Sequence, residues 1–406
     1  MECTSSGAIA AMSSPAPPAL AVTVARLHEA FATVPDPRRA QGRRFTLSAI
    51  LTLAVAAILA NHLTEQAIAE WGADQSRAVK QALGFPKGVT PHQSTLQRLL
   101  QRLDPAALAT ALTRYFDPPA AGERPRGSQA VAVDGKAQRG RLPFQTHAGC
   151  PVHALTAFCH DRAVVLAQEE IRSTADKAEA ELTVAPALLA RVGWAGRVLT
   201  GDALFCQRRV CDQVLAAGGD YLLVVKENQP TLYEDLRLLF DPPAQHPAPL
   251  PLLDRREVRT VEAGHGRRDD TRVLIASTDL NDYLDWPGVA QVFRLERTWR
   301  ARGQDKRAVH YGLTSLPPAA ADAPALLGHK RGHWGVENGL QFVKDVVLGE
   351  DKSLLHQGAG PSIMAQLRDT ALNLLRLAGH RHIAARLRYH SRHVEAVLPL
   401  LGLTLP

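Results

Sequence analysis

Hydrophobic positions along the chain change their period twice. From Val24 to about Asp117 they recur every three or four residues, the spacing of amphipathic helices, with breaks at PDPRR (Pro35–Arg39), GFPKGVTP (Gly84–Pro91) and DPP (Asp117–Pro119). This predicts a helical N-terminal domain over residues 23–120. Beyond a Gly- and Pro-containing linker at Ala121–Ser128 come short β-rich runs at Ala130–Val133, His153–Phe158, Ala163–Ile171, Arg197–Thr200 and Tyr221–Val225. Helical patterns fall between the later runs, which predicts an α/β domain with a mixed sheet, its first part spanning 129–250. The runs REVRTVEA, TRVLIAST, VFRLERTW and AVHYGLTS follow with no convincing helix between them and read as a β-rich insertion over 251–320. Helical periodicity returns over 321–378, and 379–406 form a basic C-terminal tail rich in Arg and His.

Two stretches need a different treatment. Residues 1–22, rich in Ala, Ser and Pro but lacking a basic stretch followed by an apolar core, are expected to be a disordered tail rather than a signal peptide. Leu47–Leu63 is strongly apolar, yet Ser48 and Thr52 interrupt it early and Asn61 and His62 close it. Its clean length falls short of the roughly 20 residues a membrane span needs, so a buried core helix is expected and no membrane partner.

Charge and cysteine content narrow the partners. The chain of 406 residues carries 47 Lys and Arg against 40 Asp and Glu, a formal +7 that favours polyanions. Five scattered cysteines make no disulfide framework and fit a reducing cytoplasm. The segment Pro91–Asp104 puts Leu96, Leu99, Leu100 and Leu103 on one face and Gln97, Arg98, Gln101 and Arg102 on the others. Contact with DNA and a plain solvated face remain equal readings of it.

Three acids are candidates for chemistry. Asp134, in AVAVDGKAQRG, directly follows an apolar run and precedes Gly135, where the backbone is free to turn. Asp202, in RVLTGDALFCQ, ends another apolar run just before a helix. Glu337, in RGHWGVENGLQFVKDV, lies on a helical pattern beside Trp334, Gly335 and Asn338, with Lys344 two turns on. Taken singly, Asp134 reads more readily as a turn residue, Asp202 as a helix cap, and a helical glutamate is usually solvated. Taken together they are the hard oxygen donors that phosphodiester cleavage needs to hold two divalent ions roughly 4 Å apart.

The ordered segments around these acids are specific. DPRR before an apolar helix, AVDGKAQRG, VHALTAF, TGDALFCQ, GDYLLVVKENQPTLYED, HGR and RGHWGVENGLQFVKDVVLGED run from Asp36 to Asp351. Over nearly the whole chain, Asp36–Arg376, the sequence resembles DDE transposases of bacterial insertion sequences, specifically the H-repeat-associated (ISAs-type) group. The resemblance implies a ribonuclease-H-like catalytic core interrupted by the β-rich insertion and preceded by a DNA-binding helical domain. It implies that Asp134, Asp202 and Glu337 are both the catalytic residues and the ligands of two Mg²⁺ or Mn²⁺ ions. Lys136, Arg139, Lys226, Asn228, Gln229, Arg331, His333 and Lys344 are implied contacts to DNA. The implied activity is metal-dependent cleavage at terminal inverted repeats and strand transfer into target DNA, by a homodimer on DNA in the cytoplasm, associated with the nucleoid.

The sequence departs from the wider superfamily seven and four residues before Glu337, where Lys330 and His333 replace the usual Tyr and Arg, while Lys344, seven after, matches. A hairpin route of excision therefore does not follow from the resemblance. Glu179 and Glu181 stand near a motif whose register is displaced, and neither receives a role. Cys150, His153, Cys159 and His160 match no zinc spacing and are expected to be structural; core packing is likewise expected of Trp286, Trp299 and Trp334. Two other functions stay open: a non-catalytic DNA-binding descendant of such an enzyme, and a stand-alone nuclease.

Overall fold

The computed structural model describes residues 27–119, 122–137, 153–171, 177–243, 252–264, 267–301 and 303–406. The expected disordered tail lies outside the described residues.

Helices α1 (Leu27–Ala32), α2 (Leu47–Leu59), α3 (Glu65–Asp74), α4 (Arg77–Ala82), α5 (Gln93–Leu100) and α6 (Pro105–Phe116) precede the first strand. Side chains open several of them: Thr46, Thr64, Ser76 and Asp104 each accept a backbone N–H from the first turn. Every residue of α2 is buried, so the apolar stretch is a core helix wrapped by protein. On α5, Leu96, Leu99 and Leu100 face inward while Gln97 and Arg98 stay in solvent.

The sheet contains β1 (Gln129–Ala137), β2 (His153–Cys159), β3 (Val164–Ile171), β4 (Arg197–Gly201), β5 (Asp220–Val225), β6 (Arg256–Gly264), β7 (Arg267–Ser277), β8 (Gln291–Ala301) and β9 (Gln304–Thr314). Its order is β3-β2-β1-β4-β5-β9-β8-β7-β6. β1, β2 and β3 pair antiparallel, β1, β4 and β5 run parallel, and β6–β9 form an antiparallel meander joined to β5 through β9. The strands expected as an insertion therefore extend the same sheet instead of forming a separate layer. Helices α7 (Lys177–Arg191), α8 (Arg208–Ala216) and α9 (Pro230–Phe240) fill the connections around β4 and β5.

Alternation in β1 sets the layers. Val131 and Val133 enter a core with Leu188, Leu199, Val214 and Leu223, beneath α7 and α8. Ala130 and Ala132 point to the opposite face, which is covered by α10 (Ala323–His333) and α11 (Gly360–Leu377) together with the N-terminal helices. The basic segment 379–406 folds as well: α12 (Ile383–His390) and the turns after it bury Ile383, Leu387, Val397, Leu398 and Leu401 in the core that holds α2.

One buried ion pair joins the N-terminal helices to the sheet. Arg197, at the start of β4, bonds both carboxylate oxygens of Asp117 at 2.7 and 2.6 Å, and its remaining donors reach Gln129 Oε1 and the Gly193 carbonyl. Asp117→Ala strands this guanidinium without a counter-charge and is expected to cost about 3–5 kcal/mol, read as a lower urea midpoint. A loss below about 1 kcal/mol would show that the junction does not depend on the pair.

Candidate active site

β1 and β4 place two of the acids. Their parallel register sets Ala132 opposite Thr200, and Asp202, still extended at φ −74° and ψ −177°, continues the line of β4. Two residues on along each strand, Asp134 and Asp202 fall at the same level of the sheet. Because alternation has period 2, both share the face of Ala132 and Thr200, the face beneath α10. Gly135 does not turn the chain, contrary to the sequence expectation: β1 runs through it to Ala137. A Cβ there would lie 2.2 Å from the Glu181 carboxylate, so glycine admits this buried acid from α7 on the opposite face.

Glu337 comes from the layer above. α10 passes into the wide, π-type turns Val336–Gln341 and Val343–Val347, whose Val336 and Leu340 are buried while Glu337 and Asn338 are exposed. Such turns recur at functional sites because they shift side chains out of α-helical phase. A Cβ at Gly332 would meet His160 Nδ1 at 2.3 Å, which explains the glycine in RGHW.

Asp202 and Glu337 line one cleft of about 660 Å³ with Lys226, His310, Lys330 and His333. An adjoining cleft of about 640 Å³ shares Asp202, Ala203, Lys226 and His310. Asp134 lies one strand over, its Oδ2 accepting from Gln341 Nε2 at 2.6 Å. Among the described residues, no three Asp, Glu, His or Cys side chains are gathered closely enough to hold a metal ion as placed. In donor type the site does fit a hard divalent cation: two carboxylates open into one cleft and a third stands on the neighbouring strand.

The cleft wall is aromatic and cationic. Arg297, fixed by Asp270 at 2.9 and 2.7 Å, lies over Trp299 and Trp334, 4.7 and 5.5 Å from their ring centroids. Trp334 is 45% exposed, against the expectation of core packing, whereas Trp286 is buried in the core. Burial pushes the Lys330 ammonium down to about 8, against the pull of Asp202 and Glu337, with Lys226 lowering it further. Burial, with Lys330 and His160 nearby, takes His333 to about 3, so it is neutral at pH 7. The Thr200 hydroxyl bridges His333 Nδ1 (3.2 Å) and His160 Nε2 (3.0 Å). Cys159 lies in the core with its thiol pushed up by burial, as expected of a structural cysteine. Cys150 and the His153 side chain lie outside the described residues.

Residues 125–374 match the family model described as the transposase DDE domain, and residues 28–116 match one described as DDE_Tnp_1-associated. The chain belongs to the DDE transposase family. It is 32% identical over 282 residues to a Xanthobacter autotrophicus protein named "Uncharacterized protein in dhlA 3'region", a match covering 68% of this chain and 89% of that one. It is 26% identical over 361 residues to "H repeat-associated putative transposase YhhI" of Escherichia coli K12, covering 86% and 90%. With "Putative transposase YncI" of Escherichia coli O157:H7 the identity is 27% over 366 residues, covering 87% and 88%.

The residues of this transposase expected to touch DNA separate by position. Lys226 is exposed at the cleft, and Arg331 is half-exposed with Glu262 2.6 Å away. Asn228 Nδ2 and Gln229 Nε2 donate to the carbonyls of Ala203 and Cys206 at 2.7 and 3.0 Å, bracing the loop that follows Asp202. Lys344 is turned inward and buried against Asp369 (2.9 Å) and Glu350 (3.4 Å), and Lys136 bonds Asp345 and Glu350. The sequence expects these two lysines and His333 to contact DNA; here both lysines are paired with acids and His333 is buried and neutral. Arg139 lies outside the described residues. Sequence reasoning gave Gln341 no role, although it stands four residues after Glu337, near one turn and so on the same side.

The lowered pKa of Lys330 gives a signed pH dependence. With an ordinary value of 10.5 unfolded and about 8 folded, the unfolded metal-free chain binds more protons between these limits. The penalty for burying the ammonium is full below about pH 8 and fades as pH rises to about 10.5. Lys330→Met is expected to unfold at a higher temperature than wild type at pH 7 in EDTA, with the gap closing over that window. A gap independent of pH would disprove the shifted amine.

Proposed function

We propose that this protein is a DNA transposase that cleaves phosphodiesters at the terminal inverted repeats of a mobile element and joins the freed 3′-hydroxyl to target DNA. The observation that carries this reading is the parallel register of β1 and β4, which sets Asp134 and Asp202 level on one face beneath the segment bearing Glu337. The strand order β3-β2-β1-β4-β5, antiparallel then parallel, supports a ribonuclease-H-like core with the β6–β9 meander as its extension.

In this reading Asp134, Asp202 and Glu337 hold two Mg²⁺ or Mn²⁺ ions. When bound, such ions activate the attacking hydroxyl and stabilise the leaving oxygen. The protein's own groups bind and orient the strand. Lys226 and Lys330 face the acids across the cleft and offer cations to a phosphate, while Asn228 and Gln229 fix the loop that follows Asp202. The exposed ring of Trp334 offers a face on which an unpaired base at a strand end stacks. The Arg98 side of α5 adds a cationic surface for duplex DNA. A homodimer acting on DNA in the cytoplasm, associated with the nucleoid, completes the reading.

A second reading, DNA binding without cleavage, draws on the spacing of the acids, which are adjacent but not gathered to ligand distance among the described residues. One experiment separates the two. Asp134→Asn, Asp202→Asn and Glu337→Gln are each expected to lower Mg²⁺-dependent nicking of an end-repeat duplex by at least about a thousandfold, with duplex binding in a gel shift unchanged. Wild-type nicking retained by any one variant removes that residue from the site. Binding without nicking by the wild type in Mg²⁺ or Mn²⁺ establishes the second reading, and nicked but never joined products reduce the protein to a nuclease.

A further inference from the structure

Between β1 and the turns after Glu337 lies a charged interior that the proposed chemistry does not use. Lys136, two residues beyond Asp134 on the same face of β1, bonds the carboxylates of Asp345 and Glu350 (2.9 Å) and the carbonyl of Gln341 (3.4 Å). Lys344 lies between Glu350 and Asp369, with buried Arg368 nearby. Three cations thus face three acids. Burial pushes the Glu350 carboxyl up, but Lys344, Lys136 and Arg368 outweigh it and hold it at about 2, so this central acid stays ionised, whereas burial pushes the Asp345 and Asp369 carboxyls up.

Gln341 is the link from this interior to the acids. Its side-chain Nε2 donates to Asp134 Oδ2 at 2.6 Å while its main-chain carbonyl accepts from Lys136 Nζ. One residue is therefore held at both ends by positions i and i+2 of the same strand face. Glu337, near one turn earlier on the same segment, is fixed in phase with β1 by these two bonds. The donor is neutral, so it orients the carboxylate without cancelling the negative charge a cation needs. A lysine in its place would compete with the ion, and an aliphatic chain would remove this bond to Asp134.

Resting on the metal-site reading above, we propose that Gln341 is a positioning residue that aims the Asp134 carboxylate toward a divalent ion shared with Asp202 and Glu337, with the Lys136–Asp345–Glu350 cluster as its anchor. Hydrogen bonds to a ligating carboxylate commonly govern metal affinity by about ten- to a hundredfold.

Mn²⁺ binding to the full-length chain, measured by titration calorimetry without DNA, tests this independently of catalysis. Gln341→Leu removes the donor, and Gln341→Met, of similar length and also without a donor, serves if the leucine variant fails to fold. Each is expected to weaken Mn²⁺ binding about ten- to a hundredfold, while Asp202→Asn weakens it too. A folded Gln341 variant that binds Mn²⁺ like wild type, with only its thermal midpoint lowered, overturns the assignment and leaves the three-acid site standing. If Asp202→Asn also binds Mn²⁺ like wild type, the three-acid site itself falls, and the role of Gln341 with it.

Discussion

The parallel pairing of β1 with β4 is the constraint on which the site depends. A strand has period 2, so a slip of one residue would turn Asp134 into the apolar layer under α7 and bring Val133 to the cleft. The register is locked from both sides: Val131 and Val133 fill the α7–α8 core while Ala132 packs with Phe158, Val336 and Leu340. Burying an ionised carboxylate among those apolar groups carries a large desolvation cost, so the hydrophobic pattern that folds the sheet also aims the acid. Glycine at 135 belongs to the same solution, since any side chain there would displace Glu181.

Ionic interactions divide into two populations. Arg197 with Asp117, and Lys344 with Glu350 and Asp369, are internal and joined by hydrogen bonds, so they fix how helices sit on the sheet. Lys226, Lys330 and Arg297 stand at the cleft. Arg297 is held by Asp270 and stacks on Trp299 and Trp334, so the wall is preformed and little side-chain entropy remains to be lost on binding. His333, beside them, is kept neutral by burial and serves the Thr200–His160 chain instead of adding charge.

This division explains which site expectations were legible. The ends of β4 and β5 and the acid at position 202 show plainly in the apolar run RVLTGD and in YLLVV, because buried parallel strands are continuous apolar stretches. The cationic residues were harder. Lys136 and Lys344 look like surface lysines in the sequence, and only Asp345, Glu350 and Asp369, up to 214 residues from the lysine they bond, turn them inward. Trp334 departs in the other direction: core packing is expected of it, yet the cleft leaves its ring open.

By itself the sequence determined the order of helix and strand, the apolar faces, the burial of the helix at Leu47 and the place of Asp202 at the end of its strand. These follow from local periodicity and capping, which are written within a few turns of chain. Tertiary structure decided that β6–β9 continue the main sheet, that residues 379–406 pack into the helical core, and that Gln341 meets Asp134 across 207 positions. Those are pairings between distant segments, and their partners are chosen by register and by the satisfaction of buried charge, neither of which leaves a local mark on the sequence.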